Sequence, residues 1–473
     1  MKLTIIGGGP GGYTAAFAAA KAGVEVTLVE RAHLGGTCLH TGCIPTKTLR
    51  SSADALDTVA RLREFGIAGD CAATPDMSAI VARKRKVTAT LQTGLEKTAA
   101  QLKVRVVRGD AEFVGAGLVR VASVGGSLEI AGDRVILATG SSPLELPSLP
   151  VDHRLVLSSA DALELQTVPE HLVVVGGGVI GCELAFIYRA FGAKVTVIEG
   201  QGRLLPLPSV DGEISRLLLR EMKKKGIAVE LARTVTATTP TGTGVSVEIG
   251  ASPFVEVANP PAPRTLEADA VCVTVGRVPH TDGLGLDAAG VKVDARGWIE
   301  ADDFLETSVP GVYAIGDCVK GYAQLAHTAS AMGEVAAENI CGMEAHYDES
   351  TNPTCVYIEP EAASVGLTEE QAKAQGIDYM VGKFPMSANG KALILNGGEG
   401  LVKIIAGREY GEVLGMHIIG PRATDLICEG ALAIGSELTL DELAATIHSH
   451  PTVTETIREA ALSAEKRAIH IKN

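Results

Sequence analysis

Aromatic residues are scarce in this sequence, at 4% of its 473 residues, and it contains a single tryptophan. A basic surplus is also missing, because 42 Lys and Arg residues face 56 Asp and Glu residues and the formal net charge is -14. Nucleic acids and anionic membranes bind basic surfaces that neutralise their phosphate groups. We therefore expect no nucleic acid and no membrane among the partners of this protein.

The sequence has no long uninterrupted apolar run. Its most apolar stretch, from His171 to Tyr188, is too short to span a bilayer and is interrupted by glycines and by Glu183. The first ten residues read as an apolar strand and a glycine turn, without the basic region and small-residue cleavage site of an export signal. We expect a cytoplasmic protein.

Cysteines are few and do not form a secreted disulfide framework. Nine are present, at positions 38, 43, 71, 182, 272, 318, 341, 355 and 428. Among these, Cys38 and Cys43 form the one close pair.

Glycine is abundant, with 54 residues, and 46% of the chain is hydrophobic. This composition suits α/β layers with many tight strand-to-helix turns, and the length allows about three domains. An internal repeat supports this, because residues 7–12 and 176–181 each follow an apolar strand and precede a helical segment. The motif glycines are Gly7, Gly9 and Gly12 in the first copy and Gly176, Gly178 and Gly181 in the second.

Each copy of the repeat predicts a βαβ unit that binds a dinucleotide. The glycines let the backbone approach a pyrophosphate at a helix N-terminus. Glu30 and Glu199, each eighteen residues after the last motif glycine, are placed to bind an adenosine ribose. Glu199 should repel a 2′-phosphate and favour NAD over NADP, although Arg203 nearby leaves this open. The alternative for each copy is a tight turn in an ordinary strand–helix unit.

The segment from Gly35 to Lys47 holds the close cysteine pair. Two cysteines that are five residues apart in a regular helix are too distant to form a disulfide. Gly42 and Pro45 therefore imply an irregular first turn that brings the sulfurs of Cys38 and Cys43 together. A helix N-terminus would favour the Cys43 thiolate. Metal binding with His33 and His40 is one alternative interpretation, and a purely structural disulfide is another.

A further segment, Thr307 to Asp317, predicts a strand that ends at Gly316 and Asp317. Without other motifs, it would be interpreted as a turn capped by Asp. Together, the two glycine turns, the cysteine segment and this strand resemble the pyridine nucleotide-disulfide oxidoreductases, and the resemblance covers essentially the whole chain. It implies an α/β fold with two Rossmann-like dinucleotide-binding domains, for FAD and NAD, and a C-terminal α+β dimerisation domain.

The resemblance also implies roles for individual residues. Cys38 would be the thiol that meets the substrate, and Cys43 the thiol that contacts the flavin. Lys47 would lie near the flavin and pair with Glu183, and Asp317 would bind the ribityl-phosphate part of FAD. His450 would be the acid–base residue, oriented by Glu455, although His448 and His450 could instead bind a metal. The remaining expected cofactor-binding residues are Thr139, Gly140, Gly316 and Gly276.

The activity implied is oxidation of protein-bound dihydrolipoyl groups with reduction of NAD+, through a redox-active disulfide and FAD. The expected partners are lipoyl domains of 2-oxo acid dehydrogenase complexes or the glycine-cleavage carrier protein, and a second copy of the chain. Where the family pattern commonly has Asn-Val and Ser, this chain has His40-Thr41 and Thr46, which could alter the redox potential. The alternatives are a related reductase such as glutathione reductase, or mainly a docking subunit of a multienzyme complex.

We predict four domain segments along the chain. The expected boundaries are 1–145 for the first part of the FAD domain, 146–276 for the NAD domain, 277–350 for the second FAD part and 351–473 for the dimerisation domain. A helical region from about Lys47 to Gln101, a proline-rich crossing from Ser142 to Pro150 and a proline-containing hairpin or loop from Asn259 to Arg264 are expected within them. Helices are expected at Thr424 to Gly435 and Leu440 to Ile447.

We predict that Cys38→Ser abolishes dithiol oxidation while FAD stays bound. The substitution removes the sulfur that would accept the substrate thiolate but leaves the glycine turns unchanged. Steady-state kinetics and the flavin absorbance of the purified variant measure the two properties. Mass spectrometry that finds both Cys38 and Cys43 as thiols in the air-oxidised native protein would contradict the disulfide on which this prediction rests.

Overall fold

The fold was analysed in a computed structural model of the chain. It describes residues 1–69, 72–115, 117–123, 125–257 and 262–473, except for the side chain of Asn396. Cys71 and the part of the predicted proline-containing loop up to Pro261 lie outside the described residues.

The helices and strands follow the order of the predicted repeats. From residue 2 to 143 they are β1 (Lys2–Ile6), α1 (Pro10–Lys21), β2 (Glu25–Glu30), α2 (Gly36–His40), α3 (Cys43–Ala60), α4 (Met77–Gln101), β3 (Arg105–Arg108), β4 (Asp110–Gly115), β5 (Leu118–Ser123), β6 (Gly126–Ala131), β7 (Arg134–Leu137) and β8 (Ser141–Pro143). From residue 156 to 279 they are β9 (Val156–Ser158), α5 (Ser159–Ala162), β10 (His171–Val175), α6 (Val179–Ala190), β11 (Lys194–Glu199), α7 (Gly212–Lys224), β12 (Ala228–Leu231), β13 (Arg233–Pro240), β14 (Val245–Ala251), β15 (Arg264–Ala268), β16 (Ala270–Val273) and β17 (Arg277–Pro279).

The remaining elements lie between residues 286 and 464. Its elements are α8 (Leu286–Ala289), β18 (Val312–Ala314), α9 (Ala326–Ile340), β19 (Thr354–Val356), β20 (Glu361–Gly366), α10 (Glu369–Ala374), β21 (Tyr379–Pro385), α11 (Gly390–Asn396), β22 (Leu401–Gly407), β23 (Val413–Gly420), α12 (Ala423–Gly435), α13 (Leu440–Ala445) and α14 (Glu455–Ala464). Among the described residues, no helix is both long enough and apolar enough to cross a membrane.

The chain divides into two compact units. Unit 1 consists of residues 1–49, 78–144 and 276–349, and unit 2 of residues 50–77, 145–275 and 350–473. One boundary falls inside the predicted crossing from Ser142 to Pro150. The assignment of separate NAD and dimerisation domains within unit 2 stays a prediction.

Unit 1 is built on a parallel sheet with the strand order β18-β7-β1-β2-β3. Strands β4, β5 and β6 form a separate antiparallel sheet. Helix α1 packs closely on α9, because a Cβ at Gly333 would lie 2.6 Å from the carbonyl oxygen of Gly11. Strand β1 is buried along nearly all its length, as expected for a strand of a parallel sheet covered on both faces.

Unit 2 repeats this arrangement and adds an antiparallel sheet. Its parallel sheet has the order β12-β11-β10-β16-β9, a small antiparallel sheet has the order β13-β14-β15, and the added antiparallel sheet has the order β19-β20-β23-β22-β21. The predicted α/β class with two βαβ units and a C-terminal α+β part is therefore confirmed. Strand β10 is fully buried, which explains why its sequence is a continuous apolar run after His171.

Two of the predicted helical segments differ from the structure in their extent. The expected helical region from Lys47 to Gln101 is interrupted, since α3 ends at Ala60 and α4 begins at Met77. Gly66 between them has a φ of 72°, a left-handed conformation that ends helical backbone. The predicted helix ending at Ile447 also stops earlier, at Ala445.

A row of polar side chains inside unit 2 joins the segment 209–213 to the antiparallel sheet. Ser209 Oγ lies 2.8 Å from Thr354 Oγ1, and Lys383 Nζ lies 2.7 Å from Glu213. Between them, the buried Lys403 donates to both carboxylate oxygens of the buried Asp211 at 3.0 Å. Burying a charge without a partner is unfavourable. The ion pair of Lys403 and Asp211 therefore holds the segment 209–213 against the antiparallel sheet.

Candidate active site

The first glycine turn is a backbone structure that only glycine can form. Gly7 has a φ of 107°, and a Cβ there would lie 2.2 Å from the carbonyl oxygen of Ala138. A Cβ at Gly12 would lie 1.8 Å from the Gly7 oxygen. Glu30 supports the turn from the end of β2, because its Oε2 accepts the Gly8 N–H at 2.7 Å. The N-terminus of α1 is thereby held at the end of β1.

The middle glycine of the motif, Gly9, is not required by packing within the protein. It has a φ of -73°, and the nearest atom to a Cβ there is the Gly36 Cα at 4.0 Å. Space at this position is what close approach of a pyrophosphate needs. The side-chain amide nitrogen of Gln324, in the same unit, is buried and has no hydrogen-bond partner among the described residues. The open space at Gly9 fits a dinucleotide that would be held by this turn.

The second glycine turn repeats the first in unit 2. Gly176 also has a φ of 107°, and a Cβ at Gly181 would lie 1.9 Å from the Gly176 oxygen. Glu199 accepts the Gly177 N–H at 2.5 Å and the Gln201 N–H at 2.6 Å. Each carboxylate oxygen has a second lone pair, so Glu199 can still accept from a ribose hydroxyl.

The surroundings of the second turn favour NAD. A Cβ at Gly178 would meet no atom within 4 Å, which again leaves space for a pyrophosphate. Arg203, which left the choice between NAD and NADP open, donates to the carbonyl oxygens of Leu207 and Val210 at 2.9 and 2.8 Å. The Arg203 guanidinium thus binds the backbone, and the Glu199 carboxylate is the charged group at the predicted ribose position.

Asp317 belongs to a polar network that the sequence did not reveal. Ser141 Oγ donates to Asp317 Oδ2 at 2.6 Å, and Arg277 donates to Ser141 Oγ and O, both at 2.6 Å. Burial lowers the pKa of Arg277, and the nearby Asp317 carboxylate opposes this. The only sequence signal for Arg277 and Ser141 is that each follows a residue of a predicted cofactor segment, Gly276 or Gly140.

The remaining predicted cofactor residues of unit 1 lie at strand ends. Thr139 and Gly140 follow β7, and Gly316 follows β18. Their neighbouring strands β7 and β18 pair in parallel, so the two segments lie at the same edge of the sheet. Gly140, Gly276 and Gly316 all have a positive φ, at 71°, 132° and 72°. Their assignment to cofactor binding stays a prediction.

The cysteine pair lies where helical structure is broken. Cys38 is in the short helix α2, and Cys43 is the first residue of α3, with Thr41 and Gly42 between the helices. This is the irregular turn expected from Gly42. The structure holds the pair as thiols, so the disulfide stays a prediction. A hydrogen bond with Cys43, and then burial, raise the pKa of the Cys38 thiol, while the charge of Lys47 opposes them.

The cysteine segment is fastened directly to the first glycine turn. The Gly35 N–H donates to the Gly8 carbonyl oxygen at 2.8 Å, and a Cβ at Gly36 would lie 2.7 Å from the Gly9 Cα. Two residues of this segment that differ from the family pattern, His40 and Thr46, also bind the backbone. His40 Nε2 lies 2.9 Å from the Leu34 oxygen, and the Thr46 hydroxyl donates to the Gly42 oxygen at 2.7 Å.

Lys47 lies on the helix that begins at Cys43, and Glu183 lies on the helix that follows the second glycine turn. Lys47 is in the second turn of α3, on the same helix as Cys43. Glu183 is buried in α6, and its Oε1 accepts the Tyr357 N–H at 3.0 Å. The pairing of Lys47 with Glu183 stays a prediction.

His450 and Glu455 are brought together as predicted. His450 Nδ1 lies 3.0 Å from Glu455 Oε1, and the Thr452 N–H donates to Glu455 Oε2 at 2.9 Å. Burial raises the pKa of Glu455, but hydrogen bonds from Thr452 and His450 outweigh it and the net shift is downward. An ionised Glu455 fixes the proton on Nδ1 and leaves His450 Nε2 as a proton acceptor. The His450 side chain is 80% exposed in the single chain.

His448 has a different environment from His450. Its Nδ1 lies 3.0 Å from the Thr446 carbonyl oxygen and its Nε2 lies 2.8 Å from Glu429 Oε1. Since both ring nitrogens are engaged, His448 offers no lone pair to a metal. The alternative of a metal site at His448 and His450 therefore loses its support.

Two family models match this chain. The model described as pyridine nucleotide-disulphide oxidoreductase matches residues 1–333. The model for the dimerisation domain of the same family matches residues 352–461. The two matches cover the residues of both glycine turns, the cysteine pair and the His450 segment.

Relatives with known names match over the full length. The chain is 42% identical to a dihydrolipoyl dehydrogenase of Geobacillus stearothermophilus, over 99% of this chain and 97% of that protein. It is 40% identical to a dihydrolipoyl dehydrogenase of Bacillus subtilis, over 99% and 100%. Among solved structures, LpdA from Mycobacterium tuberculosis has a TM-score of 0.89 at 29% identity, covering 98% of this chain and 99% of that one. The HOCl-induced flavoprotein disulfide reductase RclA from Escherichia coli, solved as a Cu(II) complex, has a TM-score of 0.85 at 28% identity, covering 97% and 98%.

We predict that Gly178→Ala raises the KM for NAD+ by about 10-fold, which is about 1.4 kcal/mol of binding, without lowering the melting temperature. The new methyl group would clash with no protein atom but would occupy the space expected for the pyrophosphate. Gly9→Ala is the matched control, because it should reduce FAD content and leave the KM for NAD+ of the flavin-loaded protein unchanged. Steady-state kinetics, flavin absorbance and thermal unfolding measure these effects. An unchanged KM for NAD+ in Gly178→Ala would contradict the assignment of the second turn.

Proposed function

Because the chain belongs to the pyridine nucleotide-disulphide oxidoreductase family, we propose that it has the activity of a dihydrolipoyl dehydrogenase. It oxidises protein-bound dihydrolipoyl groups to lipoyl groups and reduces NAD+, through the Cys38–Cys43 pair and FAD. The observation that carries this proposal is the attachment of the cysteine segment to the first dinucleotide turn, by the hydrogen bond from Gly35 to Gly8. A thiol pair at this position is next to the expected flavin.

The first steps are carried out by side chains of the protein. His450 Nε2 takes a proton from the dihydrolipoyl dithiol, because the thiolate is the form that attacks a disulfide. The thiolate forms a mixed disulfide with Cys38 and releases Cys43 as a thiolate. The second substrate sulfur then attacks the mixed disulfide as a thiolate, its proton passing to the departing Cys38 sulfur, which breaks the bond to Cys38 and closes the lipoyl ring. The substrate has lost two electrons and two protons, and the cysteine pair has gained the electrons.

FAD, when bound, would carry these two electrons from Cys43 to NAD+ as a hydride equivalent. The residues proposed to hold it are the first glycine turn, Glu30, Asp317 with its partners Ser141 and Arg277, and Lys47. Gly176, Gly178 and Gly181 hold NAD, with Glu199 on the ribose. Glu183 pairs with Lys47 in this proposal.

The active form is proposed to be a homodimer, which is supported by the match of residues 352–461 to the dimerisation domain. In such a dimer, His450 of one subunit serves the Cys38–Cys43 pair of the other. Lipoyl domains of 2-oxo acid dehydrogenase complexes, or the lipoyl protein of the glycine-cleavage system, supply the substrate group.

A direct assay tests the proposed activity against its alternatives. The purified yellow protein should reduce NAD+ with free dihydrolipoamide, with a higher kcat/KM than for NADP+, because Glu199 disfavours a 2′-phosphate. It should not reduce glutathione disulfide with NADPH at a comparable rate. Efficient glutathione reduction would favour the alternative reductase, and a colourless protein without either activity would favour a docking role.

A second prediction concerns the shared site. His450→Gln should lower dihydrolipoamide oxidation by about 10²–10⁴-fold, the usual cost of losing a general base. Electron transfer from NADH to an artificial acceptor bypasses this base and should survive. Mixing inactive Cys38→Ser and His450→Gln subunits under exchange conditions should restore one working site in each heterodimer.

The complementation experiment has a clear opposing result. If mixed dimers form, remain folded and retain flavin, but do not recover dithiol oxidation, then His450 and the cysteine pair do not act across the dimer. Native mass spectrometry of the mixed sample establishes that heterodimers are present.

A further inference from the structure

The segment that carries His450 is held by one carboxylate of another helix. Residues 446–454 connect α13 to α14 without regular secondary structure. Glu429, on α12, contacts this segment on both sides of His450. Its Oε1 lies 2.8 Å from His448 Nε2, and its Oε2 accepts from the Thr454 hydroxyl at 2.6 Å.

The hydrogen bonds of His448 determine its charge. Its Nδ1 faces the Thr446 carbonyl oxygen, which can only accept a hydrogen bond. Its Nε2 faces the Glu429 carboxylate, which also accepts when it is ionised. A histidine ring that donates from both nitrogens carries a positive charge. The contact between His448 and Glu429 is therefore an ion pair, and the His448 side chain in it is 4% exposed.

The groups around His448 have opposing effects on its protonation. The hydrogen bond to Glu429 raises the pKa of His448, and burial and the charge of Arg458 on α14 oppose this, with a net upward shift. A raised pKa means that the ion pair is present at lower pH and is lost as the pH rises through the pKa of the folded protein. The Arg458 side chain is itself held by the Ala444 carbonyl oxygen at 2.9 Å.

Other contacts hold both ends of the segment, and the Thr446 hydroxyl donates to the Glu442 carbonyl oxygen at 2.8 Å. Asn389 Nδ2 donates to the Thr452 carbonyl oxygen at 3.0 Å, and Val453 is buried. The part before His450 is tied to another helix by the pair of His448 and Glu429. The His450 side chain is exposed and contacts Glu455. Its position therefore depends on the parts of the segment before and after it.

We propose that Glu429 is a positioning residue for dithiol oxidation. By binding His448 and Thr454 together, it fixes the backbone on both sides of His450 and so the direction in which His450 Nε2 points. The inference rests on the proposed function, in which His450 is the base. It assigns to a residue of α12 a role that Glu455 alone does not fill.

Glu429→Gln tests this role. The amide keeps the size of the side chain but cannot form the ion pair with His448. The kcat for dihydrolipoamide oxidation should fall by about 10- to 100-fold, as expected for a misplaced catalytic group, with little change in KM. Transfer from NADH to an artificial acceptor should be unchanged. Glu442→Gln is the matched control, because the Glu442 carboxylate also binds a threonine hydroxyl in this region, that of Thr439, but it caps α13 instead of binding His448 or Thr454.

Two further measurements separate positioning from a general structural role. In a His450→Gln background, Glu429→Gln should cause no further loss of dithiol oxidation, because the group that it positions is already gone. The ratio of wild-type to Glu429→Gln kcat should also decrease as the pH is raised through the pKa of His448. A further loss in the His450→Gln background, or a ratio independent of pH, would overturn the inference.

The same set of assays keeps the inference distinct from the proposed function. A flavin-loaded wild-type protein that cannot oxidise dihydrolipoamide would overturn the proposed function itself. A wild-type protein that is active and is crippled by His450→Gln, but not by Glu429→Gln, would overturn the inference about Glu429 alone.

Discussion

Both nucleotide-binding turns depend on one steric constraint, the close approach of a helix N-terminus to the end of a strand. A Cβ at Gly12 would lie 1.8 Å from the Gly7 oxygen, and one at Gly181 would lie 1.9 Å from the Gly176 oxygen. No side chain can be accommodated at such distances, so the sequence must contain glycine there. The acid at the end of the second strand belongs to the same structure, since Glu30 and Glu199 each accept a backbone N–H of the turn. A carboxylate expected to bind ribose thus also holds the turn in place.

The two units share more than the turn, and they differ where the chemistry is expected. In unit 1 the Gly35 N–H donates to the Gly8 oxygen, and in unit 2 the Leu205 N–H donates to the Gly177 oxygen, both at 2.8 Å. The chain after β2 and after β11 therefore returns to the turn in the same way. In unit 1 the returning residue is a glycine with a φ of 107°, and it leads directly into α2 and Cys38. In unit 2 it is a leucine followed by Pro206, and no cysteine pair follows. The same backbone contact is thus followed by a cysteine pair in unit 1 and by Pro206 in unit 2.

The features that could be predicted from the sequence are those with a local cause. Glycine turns, buried strands and the broken helix at Cys43 follow from residues that are neighbours in the chain. The interruption between α3 and α4 was missed because the polar pattern of residues 47–101 continues through it. The network of Ser141, Arg277 and Asp317 joins residues more than a hundred positions apart, and no local pattern marks such a contact. Glu429 was not predicted because an acid on an amphipathic helix is most often simply solvated, and its partners His448 and Thr454 belong to a different segment of the chain.

The position of the cysteine pair explains why its two sulfurs are suited to different tasks. They share a hydrogen bond, and this bond and burial raise the pKa of Cys38. Cys43 begins α3, where unpaired N–H groups and the helix dipole stabilise a thiolate. Cys38 lies on the separate helix α2, and the backbone N–H of Cys43 and the charge of Lys47 lower the pKa of its thiol without outweighing the effects that raise it. In the proposed function, these two environments fit exchange with substrate at Cys38 and transfer of electrons to a flavin from Cys43.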